Sequence, residues 1–279
     1  MAVVTRFAPS PTGPLHLGHA FAAITAHDMA RAAGGRFLLR IEDIDPQRSK
    51  PLWRAQLIED LTWLGLTWDE APLCQSDRRA LYVAALDDLW SRGLLYPCRC
   101  SRRDIEQALG APQEGVSLAE GPDGPVYPGR CRCRPEGPRP QDQHLRLNIA
   151  AAARETRFTE TAPGLAGEIR TEAEDYPQSI GDIVLARKDF GTSYHLSVVL
   201  DDAAQGITHV TRGADLFEAT RIHVLLQDLL DLPRPVYHHH ALIRDAAGRR
   251  LAKRDDARAL SKYRAEGAGP QDIRRMLGL

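Results

Sequence analysis

The stretch VVTRFAPSPTGPLHLGHA, residues 3–20, changes character twice within eighteen positions. Val3 to Phe7 are β-branched or bulky and read as a short strand. The following PSPTGP cannot prolong it, because its prolines lack an amide N–H and its glycine favours a turn. From Leu17 onward, Phe21, Ile24 and Met29 recur among alanines at helical spacing, which predicts a helix ending near Gly34-Gly35. FLLRIED (37–43) reads as a second strand and residues 50–65 as a second amphipathic helix. A strand, a helical crossover and another strand are how parallel sheets begin, so the opening predicts an α/β fold.

The same stretch carries candidate chemistry. A strand entering a helix through a Gly-Pro turn leaves backbone N–H groups facing an anion. His16 and His19 flank that position and can donate to phosphate oxygens, while Gly18 would let a nucleotide pack against the backbone. A helix-capping turn with two surface histidines is the plainer account of an H-x-x-H element taken alone. RIEDID (40–45) places Glu42 and Asp43 where the second strand ends, the edge at which open α/β sheets bind ligands. Far downstream, GRRLAKRDDA (248–257) is a polar loop whose Lys253 can neutralise charge building on a polyphosphate.

The bulk properties bound the possibilities. The chain has 279 residues, 43% hydrophobic and 26% charged, which suits one large domain or a domain with a sizeable insertion. A formal net charge of −1 gives no global attraction to nucleic acid or membrane, although local arginine clusters remain able to bind RNA. No apolar run approaches the length of a membrane span and the N-terminus lacks signal-peptide order, so a cytoplasmic location is expected. Residues 97–141 are rich in Pro, Gly, Arg and Cys, with only a short helix expected near 103–109. Such a stretch buries little core and needs a staple. Cys98, Cys100, Cys131 and Cys133 lie there in two close pairs, a spacing that in a reducing compartment points to metal. Strands are expected at 144–149, 182–187, 195–202 and 208–213, and a helix at 216–230.

Four elements in order resemble the class I aminoacyl-tRNA synthetases of the glutamyl/glutaminyl branch. RFAPSPTGPLHLGHA stands at that family's HIGH element, RIEDID and VVLDDAAQGITHVTRGADL match next, and RRLAKR occupies the place of its KMSKS loop. The loop keeps the second lysine as Lys253, with Arg250 for the first and Ala252 and Arg254 where serines stand. RGADLFEAT is similar to the truncated glutamyl-Q tRNA(Asp) synthetase family, and the chain ends too soon after the loop for an anticodon-binding domain. The resemblance implies a Rossmann-like parallel-sheet catalytic domain with an inserted, zinc-stapled α+β subdomain. The expected division is 1–96 and 191–255 for the two catalytic halves, 97–190 for the insertion and 256–279 for a short helical appendix.

It also implies an enzyme that activates L-glutamate with ATP and Mg²⁺, without tRNA, and transfers it to queuosine at the wobble position of tRNA(Asp). Arg6 and Arg212 would bind the glutamate carboxylates, Glu42 its ammonium, Tyr194 a carboxylate, and Ala8 and Ser10 would line the pocket. His16, His19 and Lys253 would stabilise phosphate charge, with Gly18 at the nucleotide. For Zn²⁺ the ligands would be Cys98, Cys100 and Cys131, then Tyr127, with Cys133 in reserve. A monomer is expected, with no membrane partner. His238-His239-His240 reads as packing or solvent-facing ahead of a strand at 241–245, and Asp201-Asp202 as turn anchors at a strand end. The competing readings are an enzyme that charges a tRNA 3′ end and a non-catalytic nucleotide- or tRNA-binding paralogue.

Overall fold

The computed structural model describes residues 2–101, 103–104, 120–243 and 258–279. Strand β1 (Val4–Phe7) lies parallel to β2 (Arg36–Ile41) in the register Val4↔Arg36 to Phe7↔Leu39. Helix α1 (Leu17–Ala32) makes the crossover between them. Ala20, Ala23, Ala26 and Ala30 form its buried face, and these small side chains let the helix lie close on the strands. Helix α2 (Pro51–Trp63) then leads to β3 (Leu73–Cys74), which extends the sheet in parallel beside β2.

The second half of the sheet comes from much later in the chain. Helix α3 (Arg79–Ser91) precedes β4 (Leu95–Cys98), and a two-residue-per-strand hairpin, β5 (Glu120–Gly121) and β6 (Gly124–Pro125), follows among the described residues. β7 (His144–Leu147) joins β4 and β10 (Val184–Ala186) in a small antiparallel sheet. Between these strands lie α4 (Ile149–Ala152), β8 (Thr156–Glu160), β9 (Gly167–Thr171) and α5 (Asp175–Ser179). Helices α6 (Tyr194–Ala204) and α7 (Ala219–Leu229) alternate with β11 (His209–Gly213) and β12 (Val236–His240). β11 and β12 are parallel, β12 pairs in parallel with β8 at Tyr237↔Glu160, and β8 turns back antiparallel into β9.

The halves meet where β1 faces β11. Thr208 N donates to the Val4 carbonyl at 3.0 Å, and Val4 N donates to Thr208 Oγ1 at 2.8 Å. Strand order runs outward in both directions from that junction, which makes it the switch point of a doubly wound sheet, the place where such folds bind ligands. The parallel Rossmann-like sheet matches the expected fold class. Residues 156–171, which fall within the expected insertion, hydrogen-bond onto the β12 edge of this sheet.

Two local expectations are corrected. Residues 195–202 are not a strand but the body of α6, and each of them is buried. A continuous apolar run such as Val198-Val199-Leu200 does not distinguish a buried strand from a buried helix. Here Ser193 decides, its hydroxyl accepting from Leu196 N at 3.4 Å as an N-cap. Of the strand expected at 241–245, residues 241–243 are not strand and 244–245 lie outside the described residues; the histidine tract is itself strand in β12 and alternates sides, with Tyr237 and His239 buried. Of the helix expected near 103–109, only residues 103–104 are described, as helical. Among the described residues no helix is long and apolar enough to cross a membrane.

The C-terminal helices α8 (Leu260–Ala265) and α9 (Pro270–Leu277) pack back on the first half of the sheet. Leu260 N donates to the Leu15 carbonyl at 2.8 Å, Arg274 pairs with Asp28, and Gln56 Nε2 reaches Ser261 Oγ at 3.2 Å. Asp60 on α2 is enclosed by this packing. Neither carboxylate oxygen has a hydrogen-bond partner, and Arg264 lies 3.8 Å away.

Burial pushes the Asp60 carboxyl up to about 6, against the attraction of Arg264. The native state therefore holds a proton that the unfolded chain has already released, so stability falls as pH rises through this window. Relative to an Asp60→Asn variant, the native chain is expected to lose about 2 kcal/mol of unfolding free energy between pH 4 and pH 7. Urea denaturation of both proteins across that range measures it, and parallel pH profiles would refute it.

Candidate functional site

The turn after β1 is held by the histidines themselves. His16 is the N-cap of α1; its Nδ1 accepts from Gly18 N at 3.1 Å, and His16 N donates to His19 Nδ1 at 3.2 Å. The two imidazoles lie 3.9 Å apart between centroids, at a tilt of 38°. With Nδ1 an acceptor in both rings, the neutral tautomers carry their proton on Nε2. Capping and a phosphate-facing role thus use opposite edges of the same rings. The Gly18 N–H is engaged by His16.

One carboxylate organises the next group. Arg6 on β1 donates from Nε and Nη2 to Asp202 Oδ1 and Oδ2 at 3.0 and 3.3 Å, and from Nη1 to the Thr211 carbonyl at 3.3 Å. Arg40, on β2 and fully buried, donates to the same Asp202 Oδ1 at 2.6 Å and to Glu42 Oε1 at 3.3 Å. Asp202 is a buried residue of α6, not a turn anchor at a strand end as expected. The carboxylate is held below its usual range: burial opposes ionisation, but Arg40 and Arg6 outweigh it. Glu42 is shifted the other way, raised by burial despite the attraction of Arg40 and Arg6. A cation arriving beside Glu42 would supply the charge it lacks. Ala8 is half-buried and Ser10 exposed in the turn between β1 and α1, and Ser10 lines the cavity described below.

Arg212 on β11 is buried, and its charge acts on Tyr194, the first residue of α6. Its Nη1 contacts His223 Nδ1 at 2.8 Å, its Nη2 donates to Thr220 Oγ1 at 2.5 Å, and its Nε donates to His239 Nε2 at 3.2 Å. His239 in turn meets the buried carboxylate of Glu160 through Nδ1. Burial and the Arg212 charge bring His239 down to about 4 despite Glu160, so its ring is neutral at physiological pH. The guanidinium has five N–H groups, and these contacts occupy three, leaving one on each terminal nitrogen for a carboxylate.

The expected metal ligands also converge. The Sγ atoms of Cys98, Cys100 and Cys131 all lie within 4.8 Å of one another. The Tyr127 hydroxyl is 3.6 Å from Cys98 Sγ and 3.4 Å from Cys100 Sγ, and it accepts from Cys131 N at 3.0 Å. Although burial opposes it, hydrogen bonds from Tyr127 and Cys100 bring the Cys131 thiol down to about 7. Arg146 lies over the Tyr127 ring at 3.9 Å and donates to Cys98 Sγ at 3.4 Å. Three thiols this close supply three of the four donors of a tetrahedral zinc, and the Tyr127 hydroxyl stands beside them. Cys133 is exposed and outside this trio.

A cavity of about 760 Å³ is lined by Ser10, Glu42 and Tyr194 and also by Cys98, Tyr127 and Arg146, so it joins the two regions. Lys253 lies outside the described residues, as does the loop 248–257. The described flank of that loop is tied to the histidine turn, since Ala259 bridges His16 and Leu260 bonds Leu15. Sequence reading missed Asp202, Arg40, His223, His239 and Glu160 as organisers of the site. Arg40 two residues before Glu42, at the end of a strand, was the available signal, because an extended chain turns both to the same side.

The family described as tRNA synthetases class I (E and Q), catalytic domain, matches residues 2–279. The glutamyl-Q tRNA(Asp) synthetase of Rhodobacter capsulatus is 68% identical over 281 residues, covering 99% of this chain and 100% of that protein. The protein of the same name from Symbiobacterium thermophilum is 43% identical, over 96% of this chain and 83% of its own length. Among solved structures, a glutamate tRNA ligase from Elizabethkingia meningosepticum in complex with its amino acid is similar at 28% identity and a TM-score of 0.76. That match covers 97% of this chain and 59% of the ligase.

Removing Asp202 leaves two buried guanidinium groups without their shared counter-charge. Asp202→Ala is expected to cost about 3–5 kcal/mol of stability, read by chemical denaturation. Unchanged stability would mean that the arginines are not held by this carboxylate.

Proposed function

The chain belongs to the catalytic-domain family of class I tRNA synthetases for glutamate and glutamine, and within it to the glutamyl-Q tRNA(Asp) synthetases, a ligase family; on that premise we propose that it activates L-glutamate with ATP and transfers it to queuosine of tRNA(Asp). The observation that supports the reading best is the pairing of Arg6 and Arg212, two buried arginines anchored on separate supports with N–H groups unspent. Glutamate brings two carboxylates, and two guanidinium groups select it over glutamine, whose side-chain amide offers only one acceptor oxygen. Glu42, next to this pair, takes the α-ammonium, and Tyr194 donates its hydroxyl to a carboxylate.

The glutamate α-carboxylate oxygen attacks the α-phosphorus of Mg²⁺-ATP. A new O–P bond forms as the bond to the β-phosphate oxygen breaks, and pyrophosphate leaves. His16 and His19, fixed by their own cap, present Nε2–H to the phosphate oxygens, with Gly18 beside the nucleotide and Lys253 as a further cation. Queuosine then displaces AMP from the activated carboxyl. Activation proceeds without tRNA in this scheme. The binding surface for tRNA is the mouth of the cavity between the catalytic residues and the cysteine cluster, the protein acting as a monomer in the cytoplasm.

Zinc, when bound, acts as a structural staple held by Cys98, Cys100 and Cys131, with Tyr127 as the fourth ligand and Cys133 excluded. It organises the 97–190 insertion and takes no part in the chemistry. Catalytic halves at 1–96 and 191–255 and an appendix at 256–279 complete the proposed division.

Glutamate-dependent ATP–pyrophosphate exchange is expected without any tRNA, and His16→Ala or His19→Ala should lower its rate about 100-fold. Labelled glutamate should appear on tRNA(Asp) carrying queuosine and not on queuosine-free tRNA. Charging of the 3′ end of tRNA(Glu) instead would overturn the assignment. Metal analysis of the purified protein should find one zinc per chain, lost in a Cys131→Ser variant; a metal-free native protein would remove the staple.

A further inference from the structure

Beyond the residues that face substrate, a chain of polar side chains runs from Arg212 to the cavity wall. Arginine cannot accept a hydrogen bond, so the 2.8 Å contact from Arg212 Nη1 to His223 Nδ1 has one direction only. His223 must then carry its proton on Nε2, which lies 3.0 Å from His195 Nδ1. That contact fixes His195 in turn, with its proton on Nε2, 2.9 Å from both carboxylate oxygens of Asp123. Each donor meets an acceptor, and no member can reverse without stranding the arginine.

The environments agree with this direction. Burial and the neighbouring Arg212 charge keep His223 far below the usual histidine range, so it is neutral. Asp123 is held below the usual carboxylate range, since its hydrogen bond from His195 outweighs burial, and it therefore accepts. His195 opens α6 next to Tyr194, whose ring packs edge-on against both histidines at 5.4 and 5.6 Å. Asp123 sits between the two strands of the β5–β6 hairpin and lines the cavity.

We propose that His223 and His195 are positioning residues for glutamate, holding the Arg212 guanidinium in its carboxylate-binding orientation with Asp123 as the outer anchor. The proposal rests on Arg212 as a glutamate ligand. It assigns these three residues a role in affinity for the amino acid and none in binding ATP. Glutamine at 223 can reproduce the relay, its amide oxygen accepting from Arg212 and its amide N–H donating to His195, whereas leucine of similar size cannot.

Calorimetric titration of the full chain with L-glutamate, alongside exchange kinetics, tests this. His223→Leu is expected to weaken glutamate binding about tenfold, His223→Gln to stay within about threefold of the native protein, and Asp123→Ala to weaken binding about threefold. In exchange the loss should appear in KM for glutamate, with kcat and KM for ATP unchanged. Glutamate affinity in His223→Leu equal to native, or His223→Gln as impaired as His223→Leu, overturns the relay. Arg212→Ala separates the two readings. If it abolishes glutamate binding while His223→Leu does nothing, only the relay fails; if Arg212→Ala itself binds glutamate normally, the pocket assignment fails and the relay with it.

Discussion

The carboxylate of Asp202 ties together three pieces of chain that are remote in sequence. Arg6 comes from the first strand, Arg40 from the second and Asp202 from a helix more than 160 residues later. Two buried guanidinium groups converging on one place would repel each other and bear the full cost of desolvation. A shared anion removes that conflict and sets their orientation. Because β1 faces β11 at the sheet's switch point, and Arg6 on β1 also donates to the Thr211 carbonyl on β11, the ion-pair cluster lies at that junction.

The second arginine is supported by different chemistry. Around Arg212 the immediate partners are neutral rings and a hydroxyl, and the balancing carboxylates of Glu160 and Asp123 stand behind histidines. A guanidinium so arranged is oriented without being neutralised by direct contact with a carboxylate. Its positive potential stays available to an incoming anion, which a direct bidentate pair would largely cancel. Arg6, whose charge Asp202 meets directly, and Arg212 therefore stand in unequal environments.

Much of the first half of the fold was legible in residues 3–65. Proline and glycine between Phe7 and Leu17 and the alanine face of α1 are local signals that act through backbone geometry. The cysteine grouping was legible for the same kind of reason, since pairs two residues apart in a coreless stretch have few other uses. Residues 195–202 were not. Val198 to Leu200 are apolar without periodicity, and the N-cap at Ser193 counts only once the chain around it is in place. The histidine tract does pack, at His239, but that it is strand was not legible, because its alternation across β12 depends on strands supplied by distant segments.

The sequence by itself determined the βαβ opening, the turn presenting His16 and His19, the grouping of four cysteines in one coreless stretch and membership of a ligase family. The first three rest on short-range rules of dihedral angle, periodicity and spacing, and the last on the likeness of four ordered motifs to that family. Only the tertiary structure decided that one carboxylate, Asp202, pairs with both Arg6 and Arg40, that His16 and His19 cap the start of α1, and that His223 and His239 are neutral supports for Arg212. The physical reason is common to all of them. A buried polar group takes whichever partner the packing brings within hydrogen-bond distance, and its charge follows from that burial and those neighbours, none of which is encoded near it in the chain.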